Sequence, residues 1–301
     1  MQRLLFRSDL TSSGLSDSDL ARRRSAGELV RVRRGAYARP GDVTSTAEER
    51  HRLLVQATLP QLGVDWVVSH ASAAVMHGLL VSPAALCHVH VTRPRVGGGR
   101  RRTTVHRHGE PLVRDEVVEV GGWPTTDLAR TVVDLARTSP FEQGVVAADR
   151  ALTLGLTAEE LNSALGRAAG RRGAGTARRV VGFADGRSES VGESRSRVLL
   201  AELGLEATEI QLPVLDGQRL VGRVDFAWPE HRTVGEFDGR SKYGRLLRHG
   251  EDAGEVVFRE KVREDLLREL GWEVVRWIWS ELSQPDVIER RLRRAFARAR
   301  T

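Results

Sequence analysis

Apolar positions near the N-terminus are supplied by Leu4, Leu5, Leu10, Leu15 and Leu20, and then apolar and basic residues alternate in Leu-Val-Arg-Val-Arg-Arg-Gly-Ala-Tyr (29–37). Successive side chains of a strand point to opposite faces, so that run predicts a strand with one basic face and a glycine turn. Ser16-Asp17-Ser18-Asp19 places a capping hydroxyl and two acids at a helix start, and the helix is expected to continue through Arg22, Arg23 and Arg24 to Gly27. Helical spacing returns over 44–60, starting at Thr44 or Ser45, and over 69–79, closed by Gly78. Two strands are predicted at 87–92 and 103–108, joined by a Gly- and Arg-rich loop over 93–102. Helices are expected over 129–136, 140–154, 157–169 and 176–184. Asp185-Gly186-Arg187-Ser188 reads as the boundary to a last domain. There the pattern predicts helix 190–203, strands 208–214, 220–227 and 232–237, helix 257–270, strand 272–278 and a basic helix over 285–300.

A chain of 301 residues with 40% hydrophobic and 29% charged positions builds two or three domains with real cores. The division expected is 1–43, 44–185 and 186–301. Net charge is +7 with a pI near 10.6, which favours a polyanionic partner such as duplex DNA. One cysteine, Cys87, excludes an internal disulfide and a cysteine-based zinc cluster. No apolar run follows Met1 or reaches membrane-spanning length, so a cytoplasmic protein is expected. Two of the 47 basic residues are lysines, Lys242 and Lys261. Lysine differs from arginine in being a compact charge whose pKa falls on burial, so these two are candidates for a catalytic amine.

The candidate chemistry gathers in Arg-Val-Asp-Phe-Ala-Trp (223–228) and Thr-Val-Gly-Glu-Phe-Asp-Gly (233–239). Glu236 and Asp238, two apart on a strand, project to one face, and a hairpin through 229–232 brings Asp225 close. Carboxylates crowded together repel unless a hard divalent cation lies between them, which points to Mg²⁺ or Mn²⁺. Solvated turn-forming acids are the ordinary alternative. His88/His90 and His106/His108 lie at alternate positions, where four imidazoles can share a sheet face and bind zinc or remain metal-free polar positions. Trp272, Trp277 and Trp279 either stack on bases or fill a core.

With Ser-Val-Gly-Glu-Ser-Arg-Ser-Arg around Glu193 and Gly-Trp-Glu-Val-Val-Arg (271–276), residues 186–283 resemble the restriction-endonuclease-like nuclease superfamily, in the branch similar to the very short patch repair endonuclease. The resemblance implies an α/β/α domain with a mixed central sheet. It also implies a metal site of Asp225, Glu236 and Asp238 with Glu193 adjoining, and a lysine that positions water. Asp238 stands where that family's lysine is expected, which leaves Lys261, preferred for its helix facing the strands, or Lys242. Arg263 is placed to steady the scissile phosphate.

The segment Gly-Glu-Leu-Val-Arg-Val-Arg-Arg-Gly-Ala-Tyr (27–37) resembles the abortive-infection type IV antitoxin family, whose N-terminal domain is a winged helix; weaker likeness continues to about residue 165. This implies an α/β multidomain protein: a winged helix, an α+β antitoxin-like middle and the nuclease-like domain. Arg22, Arg23, Arg24, Arg31, Arg33 and Arg34 would reach phosphates. The main expectation is a DNA-binding, Mg-dependent endonuclease acting in defence or repair. The alternative is a non-catalytic regulator with an inactive nuclease fold, partnered by a cognate toxin.

Overall fold

The computed structural model describes residues 4–43, 46–63, 65–93, 100–101, 104–239 and 253–298. Lys242 and most of the basic insertion expected over 241–256 lie outside the described residues, although from Ala253 onward that stretch is helical. The protein is a mixed α/β chain that forms two compact units. One comprises residues 1–147 and 155–182, the other 148–154 and 183–301.

In the first unit, β1 (Leu5–Phe6), α1 (Arg7–Ser12), α2 (Asp17–Ser25), β2 (Val30–Arg33) and β3 (Ala36–Ala38) build a small sheet of order β1-β3-β2 beside two helices. Helix α2 begins where the capping signal placed it. Ser16 Oγ accepts from the Asp19 amide at 3.2 Å, and the Ser16 amide donates to Asp19 at 3.0 Å. Buried Leu20, Leu29 and Tyr37 fasten the helix to the sheet.

Next come α3 (Ala47–Thr58), β4 (Val67–Val68), α4 (His70–Met76), β5 (Val89–Arg93), β6 (Arg100–Arg101) and β7 (Val105–Gly109). They are followed by β8 (Val117–Val120), β9 (Trp123–Thr126), α5 (Leu128–Thr138), α6 (Phe141–Thr153), α7 (Ala158–Arg167) and α8 (Ala174–Phe183). Thr46 caps α3, one or two residues later than expected. The strands form one sheet of order β6-β7-β5-β4-β9-β8. Strands β5 and β7 are parallel neighbours, because β6 first pairs antiparallel on the far side of β7. His90 therefore lies level with His106, and Thr92 with His108. Cys87 is exposed in the turn before β5.

The second unit contains α9 (Val191–Glu202), β10 (Glu209–Asp216), β11 (Arg219–Trp228), β12 (Thr233–Asp238), α10 (Ala253–Glu269), β13 (Glu273–Ile278) and α11 (Pro285–Arg298). The order β10-β11-β12-β13 is antiparallel up to β12, and α10 carries the chain to a parallel β13. One sheet face buries Phe226, Trp228, Phe237 and Trp277 against Leu199 and Leu200 of α9 and Ile288 and Leu292 of α11. The other buries Val224, Ala227 and Val234 against Leu267 of α10. Trp277 is a core residue whose indole donates to Ser196 Oγ at 2.8 Å, whereas Trp279 is 40% exposed.

Close approach dictates two glycines of this unit. A Cβ on Gly235 would stand 2.6 Å from the Trp277 ring, and one on Gly192, in the first turn of α9, 1.9 Å from Phe237 Cε1. Phe237 is 4% exposed and cannot move aside cheaply. Gly192→Ala is expected to cost about 1–3 kcal/mol through overpacking. Urea unfolding followed by tryptophan fluorescence measures this, and an unchanged midpoint would contradict the packing described.

Candidate functional site

The basic surface of the N-terminal unit follows from two short elements. Arg22, Arg23 and Arg24 occupy the exposed last turns of α2, with Arg22 2.6 Å from Asp19 and Arg23 3.9 Å from Glu28. On the β2–β3 hairpin, Arg31 and Arg34 are exposed. Arg33 is half-buried, with its Nε and Nη1 atoms enclosed and without an acceptor, and burial lowers its pKa. A cation left in that state favours an incoming anion.

The carboxylates of the second unit meet a different environment. Asp225 accepts the Phe237 amide at 2.8 Å, which ties β11 to the end of β12. Glu236 is 8% exposed, and two arginines close on it. Arg263 of α10 approaches Oε1 to 2.7 Å, and Arg276, level with Glu236 on β13, approaches Oε2 to 2.9 Å. These are close ion pairs with poor alignment, since Glu236 Oε1 and Arg276 Nη2 lack well-directed hydrogen bonds. Burial raises the Glu236 pKa, the two guanidinium groups work against that rise, and the charge on Asp225 adds to it. Glu260 and Glu264 of α10 complete the cluster, 3.5 and 3.2 Å from Arg276 Nη2.

Glu193 is a capping acid. Its carboxylate accepts from Ser190 Oγ at 2.7 Å, from the Glu189 amide at 2.9 Å and from Gln211 Nε2 at 2.8 Å. Asp238 is half-buried at the end of β12. Lys261 does not face the strands. Helix α10 turns Glu260, Arg263, Glu264 and Leu267 inward and leaves Lys261 exposed, so arginines, not a lysine, meet Glu236. Arg263 is likewise held between Glu236 and Glu260, the latter at 2.9 Å.

Among the described residues, the one group of three or more His, Cys, Asp or Glu side chains that offers ligand atoms within 4.8 Å of one another is His70, His90 and His108. Asp225, Glu236, Asp238 and Glu193 do not close to that separation. Arg263 and Arg276 balance the charge of Glu236 in this arrangement.

Sequence reasoning missed the most heavily buried polar site, which lies in the first unit. Arg130 of α5 is 1% exposed and donates from Nε to Asp134 at 2.9 Å, from Nη1 to Glu116 at 2.9 Å and to the Pro111 carbonyl at 3.0 Å, and from Nη2 to Glu110 at 3.1 Å. Arg137 joins Asp134 at 2.9 Å and Glu110 at 2.8 and 2.9 Å. Burial works against ionised Glu110, yet Arg137 first, and then His70 and Arg130, hold its pKa down at about 2. Burial raises Asp134 to about 6 despite Arg130. The legible signal was Asp127, Arg130, Asp134 and Arg137, charges three and four apart on an otherwise apolar helix.

The histidines adjoin this network. His70 is 2% exposed, has a left-handed φ of 50°, stacks on His108 with centroids 3.7 Å apart, and lies 3.9 Å from Asp134. His90 Nδ1 is 3.1 Å from His108 Nε2, and His106 stacks on His108 at 4.1 Å. His88, outside β5, does not belong to the group that offers ligand atoms. Desolvation first, then the neighbouring histidines and arginines, holds His70 at about 3 and His108 at about 2; His90, lowered by desolvation and its neighbouring histidines, is also at about 2.

Comparison with known proteins adds three findings. Residues 3–40 match the family profile described as "Transcriptional regulator, AbiEi antitoxin", which supports the antitoxin resemblance of that N-terminal segment. The crystal structure of the RV2827C protein from Mycobacterium tuberculosis aligns with 70% of this chain and 78% of its own, at 19% identity and a TM-score of 0.40. Two Mycobacterium tuberculosis proteins, Uncharacterized protein MT2308 (strain CDC 1551 / Oshkosh) and Uncharacterized protein Rv2248 (strain ATCC 25618 / H37Rv), are each 31% identical over 277 residues, covering 91% of this chain and 94% of theirs. The chain belongs to the same protein family as these two mycobacterial proteins.

Proposed function

We propose that this protein is a DNA-binding transcriptional regulator of the antitoxin type. Its N-terminal unit holds duplex DNA, and a toxin or another defence or repair protein is its partner. The observation that carries the reading is the antitoxin-regulator profile over residues 3–40, the same segment that presents Arg22, Arg23, Arg24, Arg31, Arg33 and Arg34. Phosphate contacts from such arginines supply affinity without base specificity, and α2 is the element suited to a groove.

The test is DNA binding measured by fluorescence anisotropy as a function of salt, using the DNA upstream of the protein's own gene and a random duplex. Arg22→Ala/Arg23→Ala/Arg24→Ala is expected to weaken both complexes by about 10- to 100-fold near 0.1 M salt. The log–log salt slope should fall by about 1 for each phosphate contact removed. An unchanged affinity and slope would remove α2 from the interface.

A second reading, a metal-dependent endonuclease in the second unit, rests on Asp225 and Glu236 standing on adjacent strands close enough to interact. Supercoiled-plasmid nicking in Mg²⁺ or Mn²⁺ separates the two. Nicking by the wild type that is lost in Asp225→Ala supports the nuclease. Binding without nicking supports the regulator with an inactive fold.

A further inference from the structure

We propose that His70, His90 and His108 form a binding site for one borderline divalent transition metal of the zinc class, within the buried polar core of the first unit. One ring nitrogen from each lies within 4.8 Å of the others. A tetrahedral zinc with Zn–N of about 2.0–2.1 Å holds its nitrogens about 3.3 Å apart. The hydrogen bond between His90 Nδ1 and His108 Nε2 already holds these two nitrogens at 3.1 Å, close to that spacing, and a metal would take the place of its proton. The third ligand needs His70 to turn out of its stack on His108, where the rings lie 3.7 Å apart at 11°, and its Nε2 is buried without a hydrogen-bond partner. The opposite edge of the same ring is held, with Nδ1 3.1 Å from Ser69 Oγ and 3.9 Å from Asp134 Oδ2. A ligating imidazole whose second nitrogen is oriented by a hydroxyl or carboxylate is the usual outer arrangement of a zinc site, and Asp134 is itself fixed by Arg130 and Arg137.

Two further observations point the same way. His70 is a non-glycine residue at φ 50° at the start of α4, and strained backbone of this kind clusters at functional sites. His106 lies beside the trio, with its ring centroid 5.0 Å from that of His90 and 4.1 Å from that of His108, so a fourth imidazole adjoins the three. The all-nitrogen donor set selects zinc, cobalt, nickel or copper over magnesium or calcium. The proposal is independent of DNA binding.

The experiment uses the full chain, stripped with a chelator and checked for native circular dichroism. It is then titrated with Co²⁺, and with Zn²⁺ in competition with a chromophoric chelator. The expected result is a single ion per chain, with cobalt ligand-field absorption of a four- or five-coordinate site. His90→Gln and His108→Gln should each lower affinity at least tenfold, and Cys87→Ser should leave it unchanged. Folded wild-type protein that binds neither ion overturns the proposal, as does unchanged affinity in either folded histidine variant. Should both variants misfold, X-ray absorption of the zinc-loaded wild type decides. An imidazole-dominated first shell supports the site, whereas a sulfur ligand or an oxygen-only shell overturns it.

Discussion

Replacing Arg130 by alanine is expected to lower the stability of the first unit by about 3–5 kcal/mol, a large share of what an ordinary domain has. The side chain donates to Asp134, Glu116, Glu110 and the Pro111 carbonyl from a position 1% exposed. Its removal leaves Glu116 and Asp134, 2% and 0% exposed, as buried carboxylates with one cation fewer. The cost comes mainly from those stranded charges and less from the lost attraction. Arg130→Lys keeps the charge but cannot fork toward four acceptors, so it should recover less than half of the loss. Scanning calorimetry that resolves the transition of the first unit measures both variants, and a fall of roughly 10 °C or more is expected for alanine. A midpoint within 2 °C of wild type would mean that the network contributes little.

Acid should destabilise the same unit steeply. His70, His90 and His108 are held near 3, 2 and 2, well below the ordinary 6.5, so the folded chain keeps them neutral where the unfolded chain protonates them. A depressed pKa contributes stability above 6.5, and that contribution is lost as pH falls below 6.5 toward the folded values. An unfolded histidine is half protonated at pH 6.5, so each group costs about 1 kcal/mol between pH 6.5 and 5.5 and about 1.4 kcal/mol for each further unit, and the three together cost about 3 kcal/mol over that first unit. His51, lowered by burial, acts in the same direction. Asp134 opposes them. Raised from 3.8 to about 6, it takes up a proton in the folded state first, and this offsets roughly one histidine between those values. Glu110, held at about 2 against 4.5, adds its own loss below 4.5. His106, Arg130 and Arg137 complete the charges facing the trio. Urea midpoints of chelator-treated protein should fall sharply from pH 7 to 5, and a flat profile would contradict the buried neutral cluster.

What the sequence disclosed, and what it withheld, follows how local each signal is. Ser16, Ser190 and the 229–232 turn announced their elements because caps and tight turns are written within a few residues. The strands of the second unit lie within two residues of expectation for the same reason: each is a short apolar run between turn formers. The sheet of the first unit was only half legible. Strands β4, β8 and β9 are two to four residues long, and the parallel pairing of β5 with β7 depends on an intervening strand on the far side. His70 therefore gave no hint that it meets His108 across 38 positions of chain. In the second unit the error was one of helix phase. Lys261 and Arg263 are both on α10, but only the arginine falls on the stripe that packs on the sheet. A chain whose basic residues are nearly all arginine also hides which of them are interior.

Cys87 has a practical meaning for anyone handling the protein. Being solvent-accessible and without a second sulfhydryl in the chain, it can form a disulfide only with another molecule. Covalent dimers that form on storage without reductant are therefore artefacts of air, and they should vanish with dithiothreitol or in Cys87→Ser. The same solitary thiol accepts one maleimide dye per molecule, a ready-made reporter immediately upstream of the strand that bears His90.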